Sequence, residues 1–131
     1  MGSGGSQKIF VTVKAFSKRG QLLKRTDLQT LAESRDLDEL VTRIKNTKYL
    51  DAFNGVSKPY TAEKLEIALK ANLAETQFNL AKSSGNSKIL DAFFQKFIIS
   101  NLKLILKGKI LGKSQDEISA YFNMHAEELT K

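Results

Sequence analysis

The sequence predicts an all-α fold: a bundle of about five to seven helices, with two long antiparallel helices, about 61–83 and 87–110, at its core. Three observations predict it. The 131 residues include one proline, which favours long uninterrupted helices over a turn-rich β fold. Apolar residues recur at helical spacing behind recognisable helix starts. Only Lys8 to Phe16 (KIFVTVKAF) reads as a strand by propensity, and a lone strand has nothing to pair with.

Taken in order, Met1 to Ser6 (MGSGGS) is polar and glycine-rich and reads as a tag or linker, leaving residues 7–131 as a single helical domain. Residues 8–16 are open between helix and strand; the missing partner strand favours a helix to about Arg19, with Gly20 near its end. Thr26-Asp-Leu-Gln29 has the form of a capping box and opens a short helix with Leu28 and Leu31 on one face. Asp36-Leu-Asp-Glu39 repeats the start signal; Leu37, Leu40, Val41 and Ile44 follow, and Arg43 and Lys45 fall where a helix C-terminus favours cations. Tyr49 to Phe53 adds a short turn, and Asn54-Gly55 and Pro59 mark a loop.

Thr61 caps the first long helix, to about Ser83, with Leu65, Leu69, Leu73 and Leu80 as its apolar face and Ala68, Ala71 and Ala74 allowing close packing. Ser87 caps the second. Its main apolar side carries Leu90, Phe93, Phe94, Phe97, Ile98, Leu102 and Ile105, widened by Ile99, Leu104 and Leu106. A helix apolar almost all round belongs in a core or an interface. Asp91, Lys96 and Lys103 interrupt it within the ~20 residues that a membrane span needs. Gly112 suits the left-handed position after this helix, and Ser114-Gln-Asp-Glu117 is a capping box for the next, which carries Ile118, Tyr121 and Phe122.

That assignment disposes of one tempting motif. Gly108 to Ser114 (GKILGKS) resembles a phosphate-binding loop, but G-x-x-x-G-K-S is one residue short of the required spacing and follows a helix where that loop follows a strand. The stretch reads instead as a joint between two helices.

Little else in the composition suggests catalysis. There is no cysteine, which excludes disulfides, thiolate metal sites and cysteine nucleophiles, and a reducing compartment fits. The single histidine, His125, cannot build a multi-histidine metal site and reads as an exposed or packing residue. Asp27, Asp36, Asp38, Glu39, Asp116 and Glu117 all sit at helix starts, where the dipole favours them without any catalytic role. We expect no catalytic residue, no metal and no cofactor, and no small-molecule substrate.

The informative feature is charge. The net charge is +7 and the pI about 9.6, which suits an acidic partner. Lys96, Lys103, Lys107 and Lys109 lie on the longest helix and Lys113 just beyond it; the first three share one side. Such a row can meet acidic protein groups or phosphates, or can simply solvate the edge of an apolar helix. Nucleic acid fits less well, because there are only four arginines, Arg19, Arg25, Arg35 and Arg43, and the aromatic residues fall at core spacing. A basic helical module binding nucleic acid or a partner protein is the second reading.

Two stretches together resemble a known family. One runs Leu22-Leu-Lys-Arg-Thr-Asp-Leu28, then Leu31, Asp36-Leu-Asp-Glu-Leu40 and Asn46-Thr-Lys-Tyr49. The other is Asn101-Leu-Lys-Leu-Ile-Leu-Lys-Gly-Lys109, then Leu111-Gly112 and Ser114-Gln-Asp-Glu-Ile118. Their order and spacing over about residues 8–120 are similar to the N-terminal part of the C subunit of archaeal A-type and bacterial V/A-type ATP synthases, the counterpart of the d subunit of eukaryotic V-ATPases. The family often has an aromatic–Asp pair just before the Asn, whereas here Phe97 is followed by Ile98. The resemblance implies the first of three all-α domains in a non-catalytic socket that joins the rotor shaft to the membrane ring. It implies rotor subunits as partners, and a cytoplasmic location peripheral to the membrane.

Overall fold

The structure is a computed structural model and describes residues 3–85 and 87–122. Among them are six α-helices, one short 3-10 helix and no strand, in agreement with the expected all-α class. They form two compact units: residues 12–69, and the described residues up to Val11 together with those from Lys70 onward.

Helix α1, Ser3–Gly20, includes the strand-like stretch. Its β propensity loses because no second strand exists among the described residues. The helix begins at Ser3, so part of the glycine-rich leader is helical.

In the unit of residues 12–69, helix α2 spans Arg25–Ala32. Its start lies earlier than Thr26. Lys24 is the cap, and the Asp27 carboxylate accepts from the Lys24 backbone N–H at 2.8 Å. Asp27, not Gln29, is therefore the reciprocal residue; a charged acceptor at the third helical position outcompetes the amide two residues on. Helix α3, Leu37–Lys45, starts as expected: Asp36 accepts from the Glu39 N–H at 2.7 Å. Its Val41 and Ile44 join Phe53, from the 3-10 turn Asp51–Phe53, and Leu65 in a buried cluster, with Leu31, Leu37, Leu40 and Tyr49 around it.

Helix α4, Ala62–Ser83, is capped by Thr61, whose hydroxyl accepts from the Lys64 N–H at 3.2 Å. Helix α5 spans Lys88–Ile110. Ser87 holds its cap position without a side-chain capping bond. In the second unit Ala74, Phe78, Phe94 and Phe97 form one buried cluster. The Phe78–Phe94 ring pair joins α4 to α5, as in an antiparallel helical hairpin. The Phe94 ring meets Phe78 at 5.9 Å and Phe97 at 5.1 Å, both tilted.

The expected apolar face of α4 needs correcting. Leu65 is buried, but Leu69 and Leu73 are exposed, while Ala74, Phe78 and Ala81 are buried. Along α5, Phe94 and Phe97 are buried, but Phe93, Ile99, Leu102 and Leu106 are exposed. Small residues on α4 admit the phenyl rings of α5, so alanines rather than leucines mark the contact.

Candidate interaction surface

The end of α5 removes the nucleotide reading. Gly112 has φ +66°, and the N–H groups of Gly112 and Lys113 donate to Lys109 and Gly108 carbonyls at 3.2 and 2.9 Å. This pair of bonds is a Schellman stop. The Leu111 N–H donates to Lys107, and the Ser114 N–H to the Glu117 carboxylate at 2.9 Å. Every amide from Leu111 to Ser114 is thus engaged, and none remains to cradle a phosphate. Glu117 in turn donates its N–H to the Ser114 hydroxyl, completing the capping box of α6, Gln115–Ser119.

The five lysines divide into two groups. Lys96, Lys103 and Lys107 are exposed along one side of α5, as their spacing predicts. The Lys96 ammonium lies 5.0 Å from the Phe93 ring centre and 4.9 Å from that of Phe97, within cation–π range. Lys109 and Lys113 instead border a shallow cleft of about 250 Å³, with Ile105, Gln115, Ile118 and Phe122. Lys113 is paired with Glu117 at 3.0 Å. Among the described residues the lining holds no carboxylate or imidazole; what those residues offer is hydrophobic contact and positive charge.

Elsewhere the carboxylates serve local structure. Asp27, Asp36 and Glu117 hold helix starts, Asp38 pairs with Lys58 at 2.5 Å, and Glu39 bridges Arg35 and Arg43 at 3.0 and 2.8 Å. Among the described residues no cluster of metal-ligating side chains is found, and no helix is long and apolar enough to cross a membrane. His125 lies outside the described residues. Helical periodicity places Leu102 with the core; exposed as it is, it belongs to the outer surface of α5. Only the packing of α4 against α5 decides which side of so apolar a helix is left over.

Two carboxyls titrate far from their ordinary value. The Arg35 backbone N–H, then the Arg35 and Arg43 guanidiniums, hold Glu39 down to about 2. The Ser114 N–H, then Lys113 and the Ser114 hydroxyl, do the same for Glu117, also to about 2. Because both pKa values are depressed, the stabilisation is complete above the ordinary value of 4.5 and is lost as pH falls through about 2. We expect the side-chain carboxyl resonances of both residues to titrate near pH 2. Glu39→Gln should flatten the acid limb of the stability profile between 4.5 and 2. A Glu39 midpoint near 4.5 would mean that the Arg35–Glu39–Arg43 bridge does not persist in solution.

The ATP synthase (C/AC39) subunit family matches residues 11–131. The C subunit of the A-type ATP synthase of Methanocaldococcus jannaschii is 30% identical over 115 residues, 85% of this chain and 29% of that protein. Its counterpart from Methanothermobacter thermautotrophicus, also the C subunit of an A-type ATP synthase, is 32% identical over 109 residues, 78% of this chain and 28% of that protein. The chain thus spans under a third of the length of these relatives. No solved structure matches it. The match runs through nearly all of the described helices and agrees with the family that the two sequence stretches resemble, so the chain belongs to the ATP synthase (C/AC39) subunit family.

Proposed function

We propose that this chain is a non-catalytic component of the central stalk of a rotary A/V-type ATPase, coupling the rotor shaft to the membrane ring during proton or ion transport. The observation that carries the reading is the family match over residues 11–131, in a chain that is basic overall and exposes large apolar side chains. Residues 7–131 would act as one helical domain, equivalent to the first of three in the family, with residues 1–6 a tag or linker ahead of it. The location would be cytoplasmic and peripheral to the membrane, within the complex. The partners are protein subunits of shaft and ring, and Lys96, Lys103, Lys107, Lys109 and Lys113 are the residues that would meet their acidic or polar groups.

A pull-down against shaft and ring subunits of an A-type ATP synthase, with random duplex DNA as the competing bait, tests this at low and moderate salt. Retention by the rotor bait at moderate salt is expected. Reversing Lys96, Lys103 and Lys107 to Glu should weaken that retention by about tenfold or more. Unchanged retention would remove these lysines from the joint. Retention by DNA alone, lost as salt rises, would favour the basic nucleic-acid-binding module instead.

A further inference from the structure

Helix α5 has a second amphipathic face. Ile99, Leu102, Leu106 and Ile110 follow one another at spacings of three, four and four, and their exposures are 52%, 55%, 55% and 83%. At 100° per residue they form a narrow stripe on the side away from the buried Phe94, Phe97 and Gly108. One flank of the stripe carries Lys96, Lys103 and Lys107. The only carboxylate in α5, Asp91, is in its first turn, well before the stripe.

The pattern is chemically selective. A three-four seam over three helical turns is the complement of another helix, whose ridges fit that spacing. A second copy of this chain is disfavoured by charge: packed antiparallel through this stripe, its lysine flank would face the same flank of its twin. Like charges so placed repel. A helix with carboxylates beside its apolar stripe would instead meet a ready row of cations. The Lys96 ammonium already rests on the Phe93 and Phe97 rings, which holds one end of that row in place.

We propose that the outer face of α5 seats an acidic amphipathic helix, whose apolar stripe packs on Ile99, Leu102, Leu106 and Ile110 and whose carboxylates pair with Lys96, Lys103 and Lys107. This rests on the lysine row being a docking surface, as in the reading above, but not on the partner being a rotor subunit.

The test uses the whole chain and a labelled helical peptide of about four heptads, with Leu along the seam and Glu on both flanks. A second peptide carries Lys in place of Glu. Fluorescence anisotropy at moderate salt should give binding of the Glu peptide at least about tenfold tighter than of the Lys peptide. Leu102→Ser with Leu106→Ser should weaken it about tenfold or more; both residues are exposed, and circular dichroism checks that the fold is kept. The decisive variant is Lys103→Glu with Lys107→Glu, which should reverse the preference toward the Lys peptide. Three results would overturn the proposal: equal affinity for both peptides, failure of the preference to reverse, or flotation with anionic vesicles abolished by the Leu102/Leu106 change. Concentration-dependent dimerisation lost with the same change would overturn it too, assigning the face to a second copy. Success here with no retention by the rotor bait would leave the α5 face intact as a helix site and remove only the rotary reading.

Discussion

Phe94→Ala should destabilise the protein by about 3–5 kcal/mol, while Phe93→Ala, one residue earlier, should change it by only about 0.5 kcal/mol. Phe94 is 1% exposed and Phe93 is 63% exposed, so adjacent and chemically identical side chains differ only in the direction they point. Truncating Phe94 removes a phenyl ring from between Phe78 and Phe97, at 5.9 and 5.1 Å, and leaves a void. The transfer term, the void and two aromatic contacts of about 0.5–1.5 kcal/mol each all act in the same direction. Set against a typical total of about 5–15 kcal/mol, the loss is a large share of stability. Phe94→Leu keeps the site apolar and most of its volume, and should retain much of what Phe94→Ala loses. The small loss at Phe93 is the cation–π contact with Lys96, 5.0 Å from its ring centre. Urea denaturation of the three variants measures all of this. Equal losses at 93 and 94 would mean that α5 presents a different side to α4 from the one described.

These two neighbours also illustrate what the sequence can and cannot express. Local signals read well: the starts at Asp36, Thr61 and Ser114 and the stop at Gly112 involve residues within a few positions, and the bonds they imply are present. Residues 8–16 yield to a global argument, the lack of a partner strand, rather than to propensity. The start of α2 differs from expectation because two local acceptors compete there, and the Asp27 carboxylate wins. The apolar face of α4 is the larger departure. Leu65 serves the cluster with Val41, Ile44 and Phe53, whereas Ala74 and Phe78 serve the one with Phe94 and Phe97. One periodicity fitted to the whole helix blends two phases, and favours large leucines over the small residues that allow close approach. The same limit applies to the interaction surface. The side shared by Lys96, Lys103 and Lys107 is legible from spacing, but the apolar stripe beside it is not, because α5 is apolar on nearly every side.

The joint between α5 and α6 gives the second large effect, with a sign that can be made to reverse. Gly108 is buried, and a Cβ placed on it would fall well inside van der Waals contact of both Cγ1 and Cδ1 of Ile118. Helix propensity alone would favour Ala over Gly here by about 1 kcal/mol. The close approach of α6 opposes this, since Ile118 must move, and Ile118 together with the Ser114–Glu117 box anchors this five-residue helix. Gly108→Val adds two further methyl groups to the same space and has a branched Cβ that helices tolerate less well. We expect a loss of about 2–3 kcal/mol, with early loss of amide protection in Gln115–Ser119. Gly108→Ala alone should be mildly destabilising. In an Ile118→Ala background the obstacle is gone, and the same Gly108→Ala change should become stabilising by about 1 kcal/mol. A double-mutant cycle followed by thermal or urea unfolding gives the coupling directly. If Ala at position 108 is equally favourable in both backgrounds, the glycine is not there to admit Ile118, and the α5–α6 contact is not what fixes the direction in which Lys109 and Lys113 are presented.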